Sequence, residues 1–152
     1  MSNRVEFVRY IEAADPRIMS NEVNDVLNEG RSMGEFQSGE EYYTEVNNVV
    51  QARMASDRRE ADSIFAEAQA DVSQALTAGD VLYSLDDFAR AEQMYASAAQ
   101  AGVNTQAALT RLGIAQVKQG KYAEAQQTLA RVTGARSVVA KFWSAYAASK
   151  AG

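Results

Sequence analysis

Apolar positions recur three and four residues apart along almost the whole chain, the spacing that gathers side chains on one buried face of a helix. Val5, Phe7, Val8 and Ile11 open the pattern, and Asp15-Pro16 must close it, because proline disfavours helix in the residue before it. Ser20 or Asn21 then starts a second helix with Val23, Val26 and Leu27 turned inward. Followed to its end, the pattern predicts helices at about 4–14, 20–33, 36–55, 58–69, 71–85, 87–101, 104–118, 121–132 and 136–150. The β-branched pairs Val49-Val50 and Val138-Val139 lack the turn chemistry that pairs strands. Pro16 is the single proline and the nine glycines are scattered, so the predicted fold class is all-α.

The pattern also repeats. Leu85-Asp-Asp-Phe-Ala-Arg-Ala-Glu-Gln-Met-Tyr-Ala-Ser-Ala98 lines up with Gln119-Gly-Lys-Tyr-Ala-Glu-Ala-Gln-Gln-Thr-Leu-Ala-Arg-Val132 at a constant offset of 34 in the numbering. Phe88 falls on Tyr122, Ala91 on Ala125, Tyr95 on Leu129 and Ala98 on Val132, and one helix upstream Gly79 falls on Gly113. Small residues at 79, 113, 91 and 125 let paired helices approach to about 8–10 Å. Phe88 and Tyr122 share a face with the alanines three residues later, where each aromatic buries on the order of 150–250 Å². A weaker copy places Phe36, Gly39, Tyr43 and Val46 in the corresponding positions, this time at an offset of 52. The extra chain falls around Met54 to Ala70, where Asp57-Arg-Arg-Glu60 has the form of a capping box, predicting either a new helix near Arg58 or a kink in one long helix.

Leu112-Gly113, Gly120-Lys-Tyr122, Ala125, Leu129 and Val132 together resemble the signature of the tetratricopeptide repeat family. Leu112-Gly-Ile-Ala115 and Val132-Thr-Gly-Ala-Arg136 with Phe142-Trp143 are further similar to the C-terminal part of uncharacterised bacterial tetratricopeptide proteins, a likeness that assigns no activity. The resemblance implies a tetratricopeptide-like α-solenoid of antiparallel helix pairs. Its expected division is one domain over 1–152, with a divergent repeat at 20–55, an inserted helical segment at 56–70, repeats at 72–105 and 106–139, and a capping helix at 140–152. At the same repeat offset Trp143 falls on Leu109 and Ala147 on Gly113, so the last helix begins a further repeat and is expected to cover the final core face.

Charge narrows the partners. Fifteen Lys and Arg against twenty Asp and Glu give a net charge of −5, a field that repels phosphate backbones and argues against nucleic acid. Arg53, Arg58 and Arg59 are interleaved with Asp57, Glu60 and Asp62 at helix-surface pairing distances. No uninterrupted apolar run approaches the length of a membrane span, and the N-terminus has no signal-peptide stretch. The expectation is a chain without membrane insertion, cytoplasmic by default and periplasmic if it is a fragment of a longer exported chain.

The usual catalytic sets are missing. Without His or Cys, the Ser-His-Asp, Cys-His and zinc sites are excluded, and no phosphate-binding glycine loop or EF-hand spacing occurs. Glu40-Glu41 and Asp86-Asp87 are paired carboxylates of the kind that share acid and base roles, yet each falls at the first turn of a predicted helix, where acids cap free N–H groups. Neither an enzyme nor a cofactor is expected.

In the family, first helices of successive repeats line a groove that takes protein or peptide. Carried over residue by residue, the resemblance nominates Asn21, Asn24, Asn28 and Arg31, then Ser73, Leu76, Asp80 and Tyr83, then Thr110, Ile114 and Val117, and finally Lys141 and Ser144. The asparagine set forms one stripe of donors and acceptors suited to a peptide backbone. The implied function is a protein- or peptide-binding scaffold. The alternative is a structural or oligomerisation module of a longer protein, with homo-oligomers possible.

Overall fold

A computed structural model describes residues 3–152, and those residues are helical with no strand among them. In chain order the elements are α1 (Arg4–Ala14), α2 (Ser20–Ser32), α3 (Glu41–Ala70), a 3₁₀ turn (Val72–Gln74), α4 (Ala75–Ser84), α5 (Phe88–Gln100), α6 (Thr105–Lys118), α7 (Tyr122–Leu129), a second 3₁₀ turn (Gly134–Arg136) and α8 (Ser137–Ala151). They form two compact units, Met1–Glu60 and Ala61–Gly152, each with its own core.

The N-terminal unit closes around Ile11, Val23, Leu27, Phe36, Tyr43 and Val50. Phe36 was expected to open a helix spanning 36–55, but the helix begins at Glu41 and Phe36 lies in the preceding loop. Gly39 explains the delay, since glycine is the costliest ordinary residue to fix in a helix. The freed Phe36 ring folds back on α2, where a Cβ on Gly30 would stand 2.7 Å from it. Phe7 meets the same ring edge-on at 6.0 Å, and the Arg4 guanidinium lies 5.0 Å above it. Arg4 also pairs with Glu40 at 2.6 Å, so this carboxylate holds α1 against the loop and does not cap free N–H groups of α3.

Of the two readings near Arg58, a new helix or one long helix, the chain takes the second, and the stretches expected at 36–55 and 58–69 belong to one helix of 30 residues. Residues 51–70 contain neither Gly nor Pro, and their Ala, Gln, Glu and Arg are strong helix formers. Asp57, the residue that was to start a capping box, instead pairs one turn back with Arg53 at 3.0 Å and accepts a hydrogen bond from Ser20 at 3.4 Å.

In the C-terminal unit, α4 packs on α5, α5 on α6, α6 on α7 and α7 on α8, the consecutive order of a helical repeat array. The turn after α4 and the turn after α6 are built alike. Asp87 N–H donates to Leu82 O and Lys121 N–H to Gln116 O, both at 2.9 Å, with the preceding residue left-handed: Asp86 at φ 59° and Gly120 at φ 75°. This is the glycine-type helix stop, and Asp serves in one copy because its short polar side chain tolerates that region. Asp87 then caps α5 by accepting from Arg90 N–H at 3.2 Å, as the paired acids predict.

Each helix pair is fastened where its glycine stands. Tyr95 covers Gly79 and Leu129 covers Gly113, at equivalent places in the two repeats, and both side chains are almost wholly buried. Phe88 and Tyr122, the aromatics that open α5 and α7, are half-buried. Ala61 and Ala68, on the last turns of α3, join the core formed by α4, α5 and α6. Arg90 secures this end of α3 by reaching Asp62 at 2.7 Å and Asp87 at 2.6 Å while its guanidinium lies over the Phe65 ring.

Candidate functional site

Helices α4 and α6 bring Asp80, Tyr83, Arg111 and Ile114 around one hollow of about 210 Å³, with Tyr95 of α5 at its base. Asp80 and Tyr83 lie three residues apart on α4, as Arg111 and Ile114 do on α6, so each pair presents a polar head and a larger body on one face. The Asp80 carboxylate accepts from the Tyr95 hydroxyl and from the Arg111 guanidinium, both at 2.8 Å. Burial, followed by the hydrogen bond to Asp80, pushes the Tyr95 phenol well above its ordinary value, so it stays a neutral donor. Tyr83 lies edge-on to Phe88 at 5.1 Å between ring centres, and burial together with Asp86 raises its phenol as well.

The Asp80–Arg111 pair is about one-third to one-half exposed, and such pairs are individually worth little in water. Arg111 accordingly keeps a planar fork of donors near solvent, next to the apolar surfaces of Tyr83 and Ile114.

Other nominated residues are placed differently. Thr110 is 4% exposed and its hydroxyl donates back to Gln106 O at 2.7 Å, while Val117 is 5% exposed and belongs to a core cluster with Ala125 and Ala147. Leu76 packs against the main core. Ser73 lies in the first 3₁₀ turn, where its hydroxyl donates to Asp71 at 2.6 Å, and it lines a separate hollow of about 280 Å³ with Ile64, Glu67 and Val81. On α8, Lys141 is exposed and Ser144 partly so. In the N-terminal unit, Asn28 and Arg31 are exposed and Asn21 partly so, and Asn24 accepts from the Gln51 amide of α3 at 3.0 Å.

Arg111 and Tyr95 line the hollow without having been nominated. Arg111 is one turn before Ile114, a signal available in the α6 sequence; Tyr95 belongs to a second helix and enters only because Gly79 leaves its ring room to pass.

A second polar cluster locks the pairs together. Glu92 accepts from Lys121 at 2.9 Å and from the side-chain amides of Gln119 at 2.6 Å and Gln116 at 3.4 Å. Burial works to raise the Glu92 pKa, but the three donors outweigh it and the carboxyl lies below its usual range. Both Glu92 oxygens are engaged in joining α5 to α6 and the start of α7, so the cluster is a clasp.

Among the described residues, no group of three or more His, Cys, Asp or Glu is disposed to hold a metal ion, and no helix is long and apolar enough to cross a membrane. Residues 82–148 match the family model described as tetratricopeptide repeat, which takes in the end of α4, all of α5 to α7 and most of α8. No curated protein and no solved structure matches the chain.

Proposed function

We propose that this tetratricopeptide repeat protein holds an extended segment of another protein on the face shared by α4 and α6. Repeats of this family generally mediate protein–protein interaction, and the reading adds which face and which side chains take part. The observation that carries it is the convergence of Asp80, Tyr83, Arg111 and Ile114 on one hollow. Its volume suits a single side chain, not a small-molecule cofactor of several rings. Tyr83 and Ile114 offer apolar contact to that side chain. Arg111 offers paired donors to a carboxylate or to backbone carbonyls, and Asp80 accepts a backbone N–H. The net charge of −5 disfavours nucleic acid as the ligand.

The test is selection of binding peptides from a random library on the full chain, followed by calorimetry of the selected peptides with variants. Ile114→Ser and Arg111→Ala are expected to weaken binding about tenfold or more each, with thermal unfolding little changed. Thr77→Ala, in the hollow that Ser73 and Val81 line, is expected to bind as the parent does. Peptides that bind both hollow variants with parental affinity would place recognition elsewhere.

A further inference from the structure

Helix α8 turns Ala140, Trp143 and Ala147 inward, where Trp143 packs with Leu109 and Leu129 on one side and Val117 and Ala125 on the other. Its outer side is also apolar. Val138 is 74% exposed, Phe142 67%, and Val139 and Tyr146 about half, at the three- and four-residue spacing of one helical stripe. Four large apolar side chains exposed side by side are unusual on a helix surface, and such a patch marks an interaction site. Its electrostatics are anomalous too. Residues 125–152 carry Arg131, Arg136, Lys141 and Lys150 and no acid, a net +4 in a chain whose total is −5.

The N-terminal unit has the opposite character. Residues 1–60 hold twelve Asp and Glu against seven Arg, a net −5. Between α1 and α2 is an open hollow of about 360 Å³, walled by Phe7, Tyr10, Val26 and Met33 and lined as well by Glu6 and Glu29. Tyr10 and Met33 are each about half exposed there.

We propose that the outer stripe of α8 docks into the α1–α2 hollow of a second copy of this chain, with Phe142 as the anchor and Lys141 and Arg136 facing Glu6 and Glu29. Charge selects this arrangement: apposing the 125–152 segments of two copies sets +4 against +4, whereas that segment on the N-terminal unit sets +4 against −5. The hollow is large enough for one phenyl ring with its neighbours' methyl groups. A single-helix stripe is at the small end of specific interfaces, below about 1,200 Å², so association is weak and concentration-dependent. The contact joins the stripe of one copy to the hollow of the other, two surfaces that lie on different units of the chain. This face is separate from the α4–α6 hollow and does not depend on the peptide-binding reading.

Sedimentation of the full chain over about a hundredfold range of concentration is the test. The weight-average mass is expected to rise with concentration above that of the monomer, and raising salt is expected to weaken the association about tenfold. Phe142→Ser and Met33→Asp, both at exposed positions, are each expected to remain monomeric, while an equal mixture of the two forms a 1:1 complex that grows no further. A parent chain that stays monomeric throughout overturns the proposal. So does a Met33→Asp variant that still dimerises, which would point to α8 pairing with itself, or an association indifferent to salt.

Discussion

The Tyr95 ring lies so close to Gly79 that a Cβ on the glycine would stand 2.5 Å from ring carbon Cε1. The ring cannot swing aside, because its hydroxyl is tied to Asp80 and it is only 2% exposed. Overpacking of this kind costs about 1–3 kcal/mol, and the better helix propensity of alanine offsets at most about 1 kcal/mol of it. Gly79→Ala is therefore expected to lower the melting temperature by several degrees, measured by circular dichroism. Gln93→Ala, at an exposed position of the same helix as Tyr95, is the control and is expected to be near neutral.

Tyr95 also predicts an alkaline effect. Its phenol is raised above the ordinary 10.0 in the folded chain, so its contribution is complete below that pH and is lost as pH climbs toward the folded value. Tyr95→Phe is expected to cost about 0.5–1.5 kcal/mol at neutral pH for the lost hydrogen bond. The gap between the melting curves of parent and variant should narrow as pH rises from 10 to 11; curves that stay parallel would contradict the assignment.

Glu92 predicts the reverse trend. Its carboxyl is held below the ordinary 4.5 despite burial, so its stabilisation is present above that pH and disappears as acid protonates it. Glu92→Gln is expected to melt a few degrees below the parent at pH 7, and the gap is expected to close as pH falls from the ordinary carboxylate value through the lower folded one. A gap unchanged by acid would mean that the clasp works through packing alone.

Arg90 is expected to resist conservative replacement. Its fork spans Asp87 and Asp62 while its plane stacks on Phe65, geometry that a lysine ammonium cannot reproduce. Arg90→Lys should therefore speed amide exchange in residues 62–70 at the end of α3, leaving α6 and α7 protected as in the parent. Equal protection in both proteins would show that Ala61 and Ala68 hold this end unaided.

The C-terminal helices were legible because their determinants are local and periodic. The constant offset that carries Phe88 onto Tyr122 fixed the spacing, the apolar periodicity fixed the face, and Gly79 and Gly113 marked the close approaches. The capping role of Asp87 was readable for the same reason. The N-terminal unit was less legible. Phe36 and Gly39 lined up with the later copies, but alignment cannot say that Gly39 breaks the helix and leaves Phe36 free to fill the notch at Gly30. Likewise the capping-box letters at Asp57 and Glu60 gave no hint that Arg53 and Ser20 would take the carboxylate first.

The candidate site divides in the same way. Asp80, Tyr83 and Ile114 were nominated through the family resemblance, and they line one hollow. The burial of Thr110 and Val117, and the entry of Tyr95, depend on how far one helix is rotated against the next, and a modest rotation moves a side chain from surface to core.

By itself the sequence determined the helices, their repeat length and the small residues that let them touch, since these follow from backbone propensity and from spacing along the chain. Only the tertiary structure decided which carboxylate meets which guanidinium, which ring covers which glycine, and that the outer side of α8 is apolar and basic beyond what its packing uses. Those outcomes are set by competition among partners distant in sequence, where an ångström of approach or a turn of helix phase selects the winner.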